Sequence, residues 1–400
     1  MTTVTEAEAL ILAEKRDYGT ERIAYEQALG RVLAEDLRAD RDLPPYDRAT
    51  VDGVALDSRG LTGQTAVFRM IGTQAAGDNP IPIKTNTECV EIMTGAALHE
   101  SVNTVVRYED LDIVDDTVQV KLNTFRYGHN IHKKGTDKRA GDIVVHAHQT
   151  ISPEIVGIAA TLGSTQILVK KVPRVCVLTT GDELVPPEEK PTPFQIRRSN
   201  GVTVAAVLKS YGIRPILIHM PDLYEEMEQI LAHALENYDV ILLTGGVSMG
   251  KFDFVPRALR ILGVQKKFHK VRQRPGKPFC FGTFKNNALI FAFPGNPVSV
   301  FMCLHRYFIP WLRTSMGLPI LQYHAVLQQH IHFSPSLQYF AQVQLATNTD
   351  GQLTANFIET NGSGDFSHLA ETQAFIELPL ERSDFHPGEV FRIWPYSLYL

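Results

Sequence analysis

The sequence predicts a multidomain protein of mixed α/β and β class, opened by a helical segment. Three observations carry this. Residues from about 172 to 315 alternate apolar strand-like runs with helical stripes. The stretches from about 68 to 149 and from about 320 onward read as short strands separated by turn residues. The chain has 400 residues, more than one ordinary domain of roughly 150.

In chain order, Thr5 and Glu8 form a T-x-x-E capping box ahead of Leu10 and Ile11. Tyr25, Ala28, Leu29, Val32 and Leu33 fall on one stripe and predict a second helix. Leu43-Pro44-Pro45 ends the helical texture. Glu88–Met93, Thr104–Tyr108, Val118–Leu122 and Ile143–Val145 follow as strands of a small β region. Pro153 then opens a short helix stopped by Gly163. Val175–Leu178 and Val240–Leu243 read as buried strands, and Ile213–Met220 as a strand between them. A helix from Ser199 or Asn200 to Tyr211 and a stripe from Leu223 to Leu235 connect them. A helix over 254–262, a strand pair near Phe279–Phe281 and Leu289–Phe293, and a long helix from Val298 complete the alternation. Such alternation implies right-handed crossovers and a mostly parallel sheet. Asp350-Gly351 marks a hairpin, and Val390–Trp394 a last strand.

Composition excludes several classes. Apolar residues are 44% and charged residues 21%, as in ordinary globular proteins. The net charge of −5 lacks the basic excess of an electrostatic nucleic-acid binder, so no nucleic-acid partner is expected. No apolar run reaches the roughly 18 residues of a membrane span; Val298–Leu312 is interrupted by His305 and Arg306. The acidic start, MTTVTEAEAL, is unlike a secretory signal, and the four cysteines form no CxxC or zinc spacing. A cytoplasmic protein without membrane contact is the expectation.

Ligands of open α/β sheets bind beyond the carboxyl ends of the strands. Thr179-Thr180-Gly181-Asp182-Glu183 follows the first such strand and carries adjacent acids. Thr244-Gly245-Gly246-Val247-Ser248-Met249-Gly250 follows another; its glycines allow backbone N–H groups close to a phosphate. Pro294-Gly295-Asn296-Pro297 is a third, and Lys270 to Lys277 supplies four cations. Cations together with carboxylates suggest a phosphorylated or nucleotide-bearing ligand, with Mg²⁺ bridging the like charges. Each feature also has a plain structural reading. The glycine loops serve as tight turns, Asp222 and Asp253 as helix caps, and Lys270 to Lys277 as an exposed basic strand. The pairs His146-x-His148 and His330-x-His332 lack an obvious third metal ligand.

The order of the motifs is more specific. Leu43-Pro-Pro-Tyr-Asp-Arg-Ala-Thr-Val-Asp-Gly-Val-Ala55 resembles the LPPFDNSAMDGYA signature of the MoeA family, the molybdopterin molybdenumtransferases that include the gephyrin E domain. Ile92–Ala96, Asn130–Asp137, Thr180–Leu184, Thr244–Gly250, Arg274–Gly282 and Pro294–Ser299 resemble its further motifs, in the family's order and across essentially the whole chain. The sequence departs at Arg48 and Val51, at His132 and Thr136, at Arg198 (usually Asp) and at Arg274 (usually Lys).

The resemblance implies an elongated protomer. A helical N-terminal domain would span 1–46 plus 137–170, with a β domain inserted at 47–136. An α/β domain like the three-layer fold of molybdopterin adenylyltransferases would span 171–318, and a C-terminal β-barrel 319–400. It implies a homodimer and a Mg²⁺-dependent transfer: adenylylated molybdopterin and molybdate are the substrates, AMP leaves, and molybdenum reaches the dithiolene. Glu183, Asp222 and Asp253 would be catalytic and hold the metal, with catalytic Asp52, and Asp137, coming from the partner subunit. Thr94, Asp137, Thr180, Gly181, Ser199, Asn200, Gly245, Gly246, Ser248, Lys277, Pro294 and Pro297 would bind substrate, and Lys270 and Arg274 molybdate. A molybdopterin adenylyltransferase is a possible physical partner. The alternatives are adenylyl transfer by this chain itself, or a divergent, non-catalytic dimeric scaffold.

Overall fold

The computed structural model describes residues 1–62, 65–121, 125–246, 254–285 and 288–397. The chain divides into two compact units. One comprises Met1–Ala34, His148–Ser152 and Leu168–Leu400; the other comprises Glu35–Ala147 and Pro153–Ile167.

The first helix, α1, spans Val4–Leu12. Its capping box is Thr3 with Glu6, two residues earlier than the Thr5–Glu8 box expected from the sequence. The Glu6 carboxylate accepts from Thr3 N at 2.8 Å, and Thr3 Oγ1 accepts from Glu6 N at 3.2 Å. The earlier register turns Val4, Ala7 and Ile11 into the core, and burial decides between two equivalent boxes. The second helix does not form. Tyr25–Gln27 makes one 3₁₀ turn, and Gly30 takes φ +76 where an added Cβ would lie 2.4 Å from Ser210 O. Val32 and Leu33 then bridge to Thr150 and Val169 as extended chain. The apolar stripe was real but served strand pairing, and Leu29 stays 55% exposed.

The smaller unit is built on a six-stranded sheet. Its strands are β1 (Gly53–Leu56), β2 (Thr65–Gln74), β3 (Glu88–Ile92), β4 (Thr104–Arg107), β5 (Leu111–Val114) and β6 (Thr117–Lys121), in the order β4-β1-β3-β2-β6-β5. Leu122, expected at the end of β6, lies outside the described residues. Helix α2, Pro153–Thr161, belongs to the same unit.

In the larger unit a second six-stranded sheet comprises β7 (Val175–Thr180), β8 (Ile216–Met220), β9 (Val240–Thr244), β10 (Gln265–His269), β11 (Cys280–Phe284) and β12 (Ala288–Phe293). The order is β8-β7-β9-β12-β11-β10. The first four are parallel, and β11 and β10 are antiparallel additions at one edge. Alternate residues pack on opposite faces. Val177, Leu242 and Phe291 meet α3 (Asn200–Lys209) and α6 (Pro297–Cys303) on one side. Leu178, Leu243 and Ile290 meet α4 (Tyr224–Asn237) and α5 (Val255–Ile261) on the other. Runs buried on both faces are the signature of a covered parallel sheet.

The helix expected from Val298 runs from Pro297 to Ser315, with a π-turn at Leu304–Phe308 between α6 and α7 (Ile309–Ser315). His305 sits in that turn, its ring 4.5 Å from Phe301 and 5.8 Å from Tyr396, and its buried Nε2 has no hydrogen-bond partner. Burial pushes the imidazole down to about 4. The unfolded chain therefore takes up a proton below about pH 6.5 that the folded chain refuses until about pH 4. Stability is expected to fall by up to roughly 3 kcal/mol as pH drops through that window. Denaturant midpoints at pH 7 and pH 4.5 should converge in His305→Phe relative to the parent.

The C-terminal strands are β13 (Tyr323–Leu327), β14 (Gln338–Thr347), β15 (Leu353–Phe357), β16 (Ala374–Leu378) and β17 (Val390–Pro395). They follow the order β14-β15-β13-β17-β16, and β16 pairs back on β14, closing a barrel around Leu327, Val343, Ile376 and Ile393. β14 and β15 are antiparallel across the Asp350-Gly351 turn. No helix among the described residues is long and apolar enough to cross a membrane.

Candidate active site

The four parallel strands of the larger unit end on one edge of the sheet, and their loops converge there. β7 ends at Thr180 and turns at Gly181, φ +135. A Cβ on Gly181 would lie 2.7 Å from a Glu183 carboxylate oxygen, so that carboxylate is folded back over the bare turn. β8 leads to Asp222, which accepts from the Thr180 hydroxyl and whose N–H donates to Asp182 Oδ1 at 3.0 Å. Asp222 is not a helix cap: the N-cap of α4 is Leu223, with no side-chain cap.

β9 ends in Thr244 and leads into Gly245 and Gly246, φ +91 and +66. A Cβ at Gly245 would meet Thr180 O at 2.9 Å. One at Gly246 would meet Thr180 Cγ2 and Val255 Cγ2 at 2.7 Å each. Only glycine lets this turn pack against β7 in a left-handed conformation. β12 leads to Pro294-Gly295-Asn296-Pro297, and Asn200 Nδ2 donates to Gly295 O at 2.7 Å. Ser199, at the N-cap of α3, makes no capping bond with its side chain.

Together these loops line a cleft of about 970 Å³, the size range of cofactor and ligand sites. Thr180, Gly181, Glu183, Ser199, Asn200, Asp222, Gly245, Gly246, Pro294 and Pro297 all line it. Ser248 and Asp253, expected beside them, lie outside the described residues. Lys270, Arg274 and Lys277 are not in the described lining. That segment is not a continuous basic strand. β10 stops at His269, Lys270 takes φ +72, and Val271 and Gln273 are fully buried. Arg274 instead extends over the Phe333 ring at 5.9 Å.

Among the described residues the cations that line the cleft are Arg197 and Arg198, with Phe366 and Gly364 entering from the C-terminal region. The sequence reading assigned none of the four to binding. The signal for the arginines was present, two consecutive cations before the Ser199 cap; none marked Phe366. Near this edge, His219 Nδ1 lies 3.0 Å from Thr179 Oγ1. Burial, and then the Arg198 charge, hold its imidazole below the ordinary histidine range.

The smaller unit carries the remaining candidates. Asp52 accepts from Thr94 N at 2.6 Å and from Thr94 Oγ1 at 2.8 Å, which lowers its pKa from the usual carboxylate value. Asp137 meets His132 Nε2 at 2.9 Å, and the other ring nitrogen of His132 faces Arg48 Nη2 at 3.3 Å. Two departures from the family motifs therefore touch. The arginine missing at 132 is matched by an arginine gained at 48, and a cation is retained two contacts from Asp137. Asp47 is held by Lys133 Nζ at 2.7 Å and Lys134 N at 2.8 Å.

Among the described residues no group of three or more His, Cys, Asp or Glu side chains is arranged to hold a metal ion. His330 Nε2 and His332 Nδ1 both meet Asp384 Oδ1, at 3.3 and 2.8 Å. The cleft offers two carboxylates, Glu183 and Asp222, and the Thr180 hydroxyl. Such an all-oxygen set suits Mg²⁺, which takes few protein carboxylates and fills its shell with water and phosphate oxygens.

A parallel sheet covered on both faces, glycine turns at its carboxyl edge and a polar cleft there define a ligand-binding α/β protein with an appended barrel. The particular family follows from comparison. The described models of the MoeA N-terminal region (domains I and II), a probable molybdopterin binding domain and the MoeA C-terminal region (domain IV) match residues 2–163, 176–314 and 324–396. The molybdopterin molybdenumtransferase of Synechocystis is 35% identical, covering 99% of this chain and 100% of its own. That of Staphylococcus epidermidis is 29% identical over 97% of this chain and 94% of its own. The crystal structure of the molybdopterin biosynthesis moeA protein from Pyrococcus horikoshii is 26% identical with a TM-score of 0.80, covering 99% of this chain and 100% of that one. The chain belongs to the MoeA family.

Proposed function

We propose that the protein is a molybdopterin molybdenumtransferase, inserting molybdate-derived molybdenum into adenylylated molybdopterin with release of AMP. One observation carries this reading. In a chain matched to the family from end to end, the strand-edge cleft gathers Thr180, Glu183, Asp222 and the Gly245–Gly246 turn in one wall. The names of the relatives favour molybdenum insertion over adenylyl transfer.

The roles follow from the chemistry. The Gly245–Gly246 turn lets a phosphate approach the backbone without side-chain obstruction, although the Gly245 N–H itself donates to Phe293 O at 3.3 Å. Glu183 and Asp222 would hold Mg²⁺, with Asp253 as a further ligand; when bound, the ion supplies charge neutralisation at the pyrophosphate linkage. Thr180 fixes one Asp222 oxygen and so its orientation. Arg197 and Arg198 attract the anionic substrate in a cleft that also holds acids. Lys270, Arg274 and Lys277, with Ser248, remain candidates for molybdate and phosphate contacts. Asp52, as a catalytic group, and Asp137, as a substrate contact, come from the partner subunit of a homodimer, and Thr94 binds substrate. We extend the reading to the domain limits given above, to a cytoplasmic location, and to association with a molybdopterin adenylyltransferase.

The test is single-turnover AMP release from adenylylated molybdopterin with molybdate and Mg²⁺. Glu183→Ala is expected to fold normally, since this side chain is exposed, and to lose about 10²-fold or more in rate, the scale of a charge-stabilising group. Parental AMP release by the folded variant overturns the carboxylate's role.

A further inference from the structure

The exposed aromatic ring in the cleft wall has no role so far. Phe366 is 57% exposed although it belongs to a tightly fixed segment. Asn296 Nδ2 donates to Ser363 Oγ at 2.7 Å, and Val298 N to Ser363 O at 3.2 Å, tying the segment to the start of α6. The Asp365 carboxylate accepts from Asn361 N and Nδ2 at 3.1 Å each and from Ser367 Oγ at 2.7 Å. It also pairs with His368 Nδ1 at 2.9 Å. Hydrogen bonds from Ser367 and Asn361 hold this carboxyl well below the usual range. The residue beside it, Phe366, therefore cannot easily withdraw into the core.

A single exposed phenylalanine is ordinary. Phe194 is 90% exposed and is not in the cleft lining. Phe366 differs in that it lines the cleft, on a segment tied down on either side of the ring. Leaving such a ring in water forgoes apolar burial that a flat partner in the cleft would recover. Gly364 in the same wall carries no side chain to obstruct that approach.

We propose that Phe366 is a stacking platform for a planar heteroaromatic ring of the substrate. This rests on the functional reading above, which gives the substrate two such rings, adenine and pterin. Both offer a π-face to an aromatic side chain. The phosphate is held at the strand-edge turns while the ring lies on Phe366, so the platform sets affinity and orientation and takes no part in bond breaking.

The experiment titrates AMP and, separately, an oxidised pterin into the parent, Phe366→Ala and Phe366→Trp proteins by calorimetry, with melting temperature as the folding control. The ring that stacks should bind about tenfold more weakly to Phe366→Ala, the scale of one lost aromatic stack. Phe366→Trp should restore it, and the other probe should be unchanged. In turnover, KM should rise in Phe366→Ala with kcat within about twofold of the parent. Unchanged affinity of Phe366→Ala for a probe the parent binds, with none lost for the other, overturns the platform and leaves the cleft assignment standing. Binding of neither probe by the parent overturns the cleft assignment and the platform with it.

Discussion

Arg306→Ala is expected to lower the stability of the larger unit by roughly 3–5 kcal/mol, the cost of breaking a buried ion pair from one side. Arg306 is 2% exposed and joins three parts of that unit. Its Nη1 and Nη2 each lie 3.0 Å from a carboxylate oxygen of Glu8 on α1, and its Nε is 3.6 Å from Glu377 on β16. Its guanidinium also lies 4.3 Å from the Trp394 ring, whose Nε1 donates to the same Glu377 at 2.6 Å. Removing the cation leaves two carboxylates with little solvent and, among the described residues, only Arg392, on the Trp394 ring, as a counter-charge in range. Arg306→Met keeps most of the volume and should lose less where packing dominates. Denaturant midpoints with unchanged slopes are the measurement. A midpoint for Arg306→Ala equal to that of the parent would show that α1 and the barrel are held without this junction.

The second large effect is on turnover. Asp222→Ala should reduce single-turnover AMP release by about 10²-fold or more while leaving the fold intact. The Asp222 side chain caps no helix, so its loss costs the one bond it accepts from the Thr180 hydroxyl. Thr180→Val should reproduce part of the loss by freeing the carboxylate to rotate. If Thr180→Val matches Asp222→Ala in melting temperature and in rate, the pair acts through structure rather than through substrate.

Much of this architecture was legible before any coordinates. Runs such as Val175–Leu178 and Val240–Leu243 carry no polar residue to hesitate over, so the parallel strands and their carboxyl-end loops were placed from pattern alone. The motif order then fixed the family. The errors have physical causes. Tyr25 to Leu33 presents a helical stripe, but Gly30 occupies a left-handed position against Ser210, and the chain pairs as extended strand. Two overlapping capping boxes were equivalent until burial of Val4, Ala7 and Ile11 chose the first. The direction in which each residue from Lys270 to Lys277 turns was not legible from spacing; buried Val271 and Gln273 set it. Phe366 could not have been found by motif, since its meaning lies in a fold contact between the start of α6 and Ser363.

The most direct test of the account is a crystal structure with AMP and molybdate bound, located by the anomalous signal of molybdenum. The account predicts the AMP phosphate against the Gly245–Gly246 turn and the molybdenum peak within the same cleft, alongside Glu183 and Asp222. Nucleotide or metal found only on other surfaces of the protein, with this cleft filled by solvent, would contradict it.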